Sequence, residues 1–232
     1  MDAIEIPRDA QAEDADWWCR DRRAVIAREV RRTGPPGRAV AIGAATAGDP
    51  RVLAAHGWET VTVEGSPASA RLARGHGLDV YEGDVCYLPL PSAHFGFATA
   101  LNALERADDD RAAAAEIARV LSPGGTALIT VPSDMALWSA HDVSLGRVRR
   151  YGRSALAEVV EAAGLLVDRI WSRNVLLRPL VRWRRHRHAG YGLDRPCTAV
   201  NAGLRALAAV ERHLPVKALP GVTLFVRAHR PV

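Results

Sequence analysis

Cysteine is scarce and poorly placed for chemistry. The 232 residues hold three, Cys19, Cys86 and Cys197, with no CxxC pair and an odd total. That excludes a disulfide framework and a thiol-based zinc site, and it points to a reducing, cytoplasmic setting with no metal. No apolar run reaches the roughly 20 residues that cross a bilayer. The N-terminal stretch carries Asp2, Glu5, Asp9, Glu13 and Asp14 where a secretory signal has a basic flank and an apolar core. The expectation is a soluble chain. Internal repeats and low-complexity tracts are missing as well, so a repeat array is excluded.

What is there suits one α/β domain spanning 1–232, since 48% hydrophobic residues supply a substantial core and two full domains would be cramped. The formal charge of +5 admits nucleic acid or an anionic membrane. Arginine is spread over the whole length, however, so nucleic acid is not the expected partner. One cluster stands apart: Arg178, Arg182, Arg184, Arg185, His186, Arg187 and His188, interleaved with Leu176, Leu177, Leu180 and Trp183. It reads as a basic amphipathic helix over 176–188, able to make weak contact with anionic lipid or a lipid-linked substrate, or to pack as a lid over a substrate site.

From residue 39 the sequence alternates short β-like runs with helical stretches, as a parallel sheet of βαβ units requires. Strands are expected at Ala39 to Gly43, Thr60 to Val63, Leu78 to Tyr81, Phe95 to Leu101, Thr126 to Val131, Leu166 to Ser172 and Val222 to Ala228. Helices are expected after Gly43, over Ala68 to Arg74 behind Pro67, over Asp108 to Leu121, and from an N-cap at Ser154 to Gly164. An amphipathic helix over 17–32 precedes this 38–173 core. The stretch 174–220 is too long for a simple connection and must hold structure of its own, including a helix over 198–213, before the last strand in 221–232.

In an open α/β sheet, ligands bind beyond the carboxyl ends of the strands, so the turn after the first strand is the most informative. Here it runs Gly43-Ala44-Ala45-Thr46-Ala47-Gly48. Gly43 and Gly48 keep the freedom to bring backbone close to a ligand, whereas Ala45 and Ala47 do not. Taken alone, the run is equally an ordinary strand-to-helix turn. Glu64 stands 21 residues after Gly43, the spacing at which a carboxylate accepts hydrogen bonds from the hydroxyls of an adenosine ribose. Asp84, in Glu82-Gly83-Asp84-Val85, can take the exocyclic amine of an adenine, or serve its own turn.

Together with the Trp17-Trp18 helix, Glu64-Gly65-Ser66-Pro67, Asn102-Ala103-Leu104-Glu105, Ser122-Pro123-Gly124-Gly125, Leu137-Trp138-Ser139-Ala140-His141-Asp142 and Gly146 to Tyr151, these elements resemble a bacterial class I methyltransferase subfamily. The resemblance covers almost the whole chain. It implies a Rossmann-like, seven-stranded, mostly parallel sheet with an antiparallel last strand and a helical insertion before it, S-adenosylmethionine as cofactor, and a small-molecule or lipid-like acceptor. It places the Gly43 turn, with position 45, under the methionine portion. Glu64, Gly65 and Ser66 fall at the ribose, Asp84 and Val85 at the adenine, and Asn102 to Leu104 at the sulfonium. The chain departs from the family pattern at Ala41, Ala45 and Ala47, in place of an acid and two glycines, and at Arg106 and Arg147, in place of histidines. The departures keep two alternatives open: a methyltransferase fold that has lost methyl transfer, as a repurposed enzyme or a partner subunit, and a nicotinamide enzyme that reads 43–48 as a relaxed GxGxxG.

An acceptor that must lose a proton needs a base. His141, beside Asp142, is the first candidate, with Tyr151 and Glu105 behind it. Arg147, Arg149 and Arg150 could clamp an anionic acceptor. Trp18 and Trp138 are candidate walls of the acceptor pocket.

Overall fold

The protein is seen as a computed structural model that describes residues 16–43, 48–187 and 198–232. Its centre is a seven-stranded sheet in the order β3-β2-β1-β4-β5-β7-β6. The strands are β1 (Arg38–Ile42), β2 (Glu59–Glu64), β3 (Asp79–Glu82), β4 (Phe95–Leu101), β5 (Leu121–Pro132), β6 (Leu166–Arg173) and β7 (Thr223–His229). β1 to β5 pair in parallel, and β7 runs antiparallel between β5 and β6. The chain order reverses at β1, which lies between β2 and β4, and this is where such sheets hold ligands.

Helices α1 (Trp17–Val30), α2 (Gly48–Ala55), α3 (Pro67–Gly75), α4 (Asp110–Val120), α5 (Ala140–Ser144), α6 (Arg153–Ala162), α7 (Arg178–Arg187) and α8 (Thr198–Glu211) surround the sheet. The pleat sends alternate β1 residues to opposite faces. Val40 and Ile42 join a core with Ala113, Ile117, Leu156 and Val160 of α4 and α6. Ala39 and Ala41 join another with Val25, Ile26 and Leu53 of α1 and α2. Ala41 is thus fully packed in an apolar layer, where the family pattern has an acid.

Several boundaries differ from the sequence reading. β5 begins at Leu121 rather than Thr126, because Leu121 pairs with Phe95 across an irregularity between Phe95 and Phe97. Gly125 is required inside it, since a Cβ there would sit 2.8 Å from Ser122 O and 2.9 Å from Phe95 O. β3 lies one residue later than expected, in register Val61↔Asp79. α6 is capped by extended Gly152, not Ser154, and Arg153 opens it with its guanidinium on the Ile170 carbonyl at 2.9 Å. α1 ends at Val30, and its N-cap Asp16 accepts from the Trp18 and Cys19 amides.

Tertiary ion pairs tie the insertion to the sheet. Arg173, at the end of β6, pairs with buried Asp21 of α1, which Arg212 also reaches at 3.0 Å. Glu211 at the end of α8 is buried and accepts from the amides of Asn174 (2.7 Å) and Leu176 (3.1 Å).

Candidate active site

Four adjacent strands bring their carboxyl ends together. Gly43 follows β1 at φ +69°, a left-handed conformation that favours glycine, and its amide donates to Val63 O at 2.9 Å. Glu64 ends β2 with only 3% of its surface exposed, and its carbonyl receives the Gly83 amide at 3.1 Å. Asn102 follows β4 at φ 57°, held by its amide to Thr130 O (3.0 Å) and Thr130 Oγ1 (3.2 Å). A Cβ built on Gly43 would lie 3.7 Å from Ala103 Cβ, so the β1 and β4 turns face each other across van der Waals distance. A left-handed asparagine costs roughly 1–2 kcal/mol, and such backbone strain concentrates at functional sites.

Other candidates on this edge prove to be structural. Ser66 caps α3, its Oγ accepting from the Ser69 amide at 3.1 Å. Asp84 is exposed and closes its own turn, Oδ1 accepting from the Cys86 amide at 2.7 Å. Val85 packs half-buried against the core. The Leu104 side chain is fully buried and its carbonyl is taken by Tyr151 Oη at 3.2 Å, so Leu104 does not line a sulfonium pocket. Gly65 lies beside Gly83, whose carbonyl would be 3.8 Å from an added Cβ. Ala45 and Ala47 lie outside the described residues. The loop re-emerges at Gly48, where the Arg23 guanidinium packs against the Cα, and at buried Asp49, which pairs with Arg22 at 2.6 Å.

Beside Asn102 a tight crevice, with room for about one water molecule, is lined by Trp18, Asp21 and Arg22 of α1 and by Thr130, Asn174, Thr223 and Phe225 from the ends of β5, β6 and β7. Sequence reasoning found Trp18 here but missed Asn174. Asn174 stands at φ 60° with 4% exposure, and its Oδ1 has no hydrogen-bond partner among the described residues. A buried, unpaired acceptor is costly unless a ligand donates to it. The signal in the sequence was only an asparagine directly after the sixth strand.

The segment 138–151 changes the reading of the charged candidates. Buried Asp142 accepts from the Ser139 amide at 3.0 Å, closing a capping box on α5, and from Arg147 Nη1 (3.1 Å) and Arg150 Nη2 (2.7 Å). Arg150 also donates to Ser133 O at 2.8 Å. Arg147 Nε lies 3.5 Å from Glu105, which is fully buried after β4. Arg149 pairs with Asp110 at 2.9 Å and donates to Asp108 O at 2.8 Å. The arginines therefore hold the segment to the sheet and are not an anion clamp. Burial pushes the Glu105 carboxyl up to about 7 against the opposing pull of Arg147, Arg106 and Arg150.

Tyr151 is corrected likewise. It is buried and donates from Oη to Asp110 Oδ2 at 2.7 Å. Burial and the Asp110 carboxylate raise its pKa far above the ordinary value, so it remains a phenol and pins the segment rather than acting as a base or touching substrate. His141 is half-buried in the first turn of α5, and Trp138 is half-buried just before it.

Comparison with known proteins fits this geometry. Residues 40–129 match a family model described as a methyltransferase domain. A probable S-adenosylmethionine-dependent methyltransferase of Mycolicibacterium smegmatis is 30% identical over 98 residues, 41% of this chain and 38% of that protein, so the match spans well under half the length of the relative. Among solved structures, a putative sarcosine dimethylglycine methyltransferase from Galdieria sulphuraria superposes with a TM-score of 0.65 at 16% identity, over 92% of this chain and 86% of that one. The (4+2)-cyclase SpnF gives 0.61 at 23%, over 93% and 82%. A complex between the Haloferax volcanii Trm112 methyltransferase activator and a putative methyltransferase gives 0.62 at 21%, over 91% and 92%. These structural likenesses establish the fold alone.

Proposed function

We propose that this chain, whose 40–129 segment matches a methyltransferase domain, transfers a methyl group from S-adenosylmethionine to a small or lipid-like acceptor. The observation that carries the reading is the alignment of left-handed Gly43, buried Glu64 and left-handed Asn102 on adjacent strand ends at the switch point. The residues present fit the cofactor. Gly43 supplies backbone that a side chain would not cover, and Glu64 supplies a carboxylate for the ribose hydroxyls. Arg22 and Arg23 bring two guanidinium groups to Gly48 and Asp49, at the end of the loop that the family resemblance places under the methionine portion, where they suit its carboxylate.

The cofactor supplies an electrophilic methyl group on a sulfonium sulfur. The protein then has to hold an acceptor lone pair in line with it, and alignment provides most of the acceleration. Trp18 and Phe225 wall the crevice beside Asn102, where the unpaired Asn174 Oδ1 can accept a polar hydrogen directly or through a water. Where the acceptor must also lose a proton, a ring nitrogen of His141 takes it.

A second reading keeps the fold and replaces the reaction. The buried apolar setting of Ala41, where the family pattern has an acid, is the observation behind it. Calorimetric titration with S-adenosylmethionine, S-adenosylhomocysteine and NAD decides first. Binding of the first two without NAD is expected, and absence of both would sink methyl transfer.

A further inference from the structure

The insertion before β7 carries a surface that methyl transfer does not use. Seven of the fourteen large apolar side chains exposed among the described residues fall between 174 and 220. Three of them, Leu176, Leu180 (48% exposed) and Trp183 (50%), recur at i, i+4 and i+7 and so form one stripe along α7 and the turn before it. Met135, 56% exposed, extends the patch from the single-turn 3₁₀ helix Met135–Leu137 on which α7 packs. Buried Leu177 and the Arg178–Asp134 ion pair anchor the helix there, leaving the stripe to solvent.

The charge on this helix is one-sided. Between Asp168 and Asp194 the sequence has no acid but seven arginines: Arg169, Arg173, Arg178, Arg182, Arg184, Arg185 and Arg187. Arg178 stands opposite the Leu–Trp stripe, held by Asp134, and exposed Arg182 stands on the flank of the stripe. Arg182 makes no ion pair among the described residues. An anionic partner suits the arginines, and an apolar one suits the stripe. A nucleic acid has no use for Leu180 beside Trp183, whereas the interface of an anionic bilayer accepts both features.

We propose that α7 is an interfacial helix that seats the protein on an anionic phospholipid membrane, with Leu176, Leu180 and Trp183 entering the headgroup boundary and exposed Arg182, on the flank of the stripe, reaching lipid phosphates. The 3₁₀ turn under α7 follows the carboxyl end of β5, next in the sheet to β4 and Asn102. With α7 at the lipid surface, the acceptor class becomes an amphipathic or lipid-linked molecule. This last step rests on the methyltransferase reading, while the membrane contact does not.

Sedimentation of the full chain with vesicles of phosphatidylcholine containing about 30% phosphatidylglycerol tests the proposal, with pure phosphatidylcholine vesicles alongside. Binding to the anionic vesicles alone is expected, falling strongly at about 0.5 M salt. Leu180→Glu/Trp183→Glu should weaken it roughly tenfold or more, and Arg182→Glu should weaken it less, with thermal unfolding unchanged in both. Equal binding to both vesicle types, no binding, or unaltered binding by the double variant would overturn it. So would a dimer in vesicle-free solution that the double variant splits, because the stripe would then belong to a second copy. If vesicles bind but S-adenosylmethionine does not, the methyltransferase reading falls while the membrane surface stands.

Discussion

Glu105→Gln should stabilise the protein at pH 8 and leave it nearly unchanged at pH 5. The Glu105 carboxyl is fully buried after β4, and burial raises its pKa from 4.5 to about 7 even with Arg147, Arg106 and Arg150 pulling the other way. The folded protein therefore binds a proton here that the unfolded chain releases between those two values. The stability that this group contributes is complete below about pH 4.5 and is lost as pH rises through about 7. A displacement of that size corresponds to roughly 3 kcal/mol. Glutamine resembles the protonated acid at every pH and escapes the loss, and Arg147 keeps Asp142 as its partner at 3.1 Å. For a domain of this size roughly 3 kcal/mol moves the melting temperature by about 6–12 °C. Urea unfolding of wild type and variant, followed by tryptophan fluorescence at pH 5 and pH 8, gives the quantity directly. Histidines titrating elsewhere cancel in the difference. A variant less stable than wild type at pH 8, or a difference independent of pH, would show that the ion pair with Arg147 outweighs burial and would refute the reasoning.

Three further outcomes follow from the site. Glu64→Ala should weaken S-adenosylmethionine, S-adenosylhomocysteine and adenosine alike by roughly 1.5–3 kcal/mol, the worth of a charge-assisted hydrogen bond, and unchanged calorimetric affinities would remove Glu64 from the pocket. Arg23→Ala should weaken S-adenosylmethionine by a similar amount and leave 5′-methylthioadenosine, which has no carboxylate, untouched. Equal losses on both ligands would mean that the guanidinium against Gly48 only supports the loop. Tyr151→Phe should cost roughly 1–3 kcal/mol in urea unfolding, because Asp110 loses its donor at 2.7 Å, while the pH profile of methyl transfer keeps its shape. A lost limb in that profile would restore Tyr151 as a base.

The parts of this molecule legible in the sequence are those that local rules determine. β4 falls at Phe95–Leu101 as read, an apolar run broken only by Thr99 between turn signals. Gly43 and Glu64 stand at the ends of β1 and β2 as read, because a left-handed turn and a strand end constrain both the residue type and the spacing. β5 was read short because its first pairing, Leu121 with Phe95, depends on a neighbouring strand and passes through Ser-Pro-Gly-Gly, which locally looks like a turn. Asn174 escaped notice because its meaning lies in burial, and burial is set by Trp18 and Phe225 from distant parts of the chain.

The arginines show why charge near a site misleads when partners are unseen. Arg147, Arg149 and Arg150 read as an anion clamp from their spacing, but their carboxylates come from elsewhere: Glu105 after β4, Asp110 in α4 and Asp142 in α5. Asp21 of α1 neutralises Arg173 and Arg212 from the other end of the chain. A guanidinium buried without such a partner would cost several kcal/mol, so paired arginines near the sheet are what folding requires and say little about ligands. The same argument turns round at α7. Arg182 is exposed and makes no ion pair among the described residues, unlike Arg147 and Arg150, and beside the exposed Leu–Trp stripe it suits the anionic surface proposed for α7.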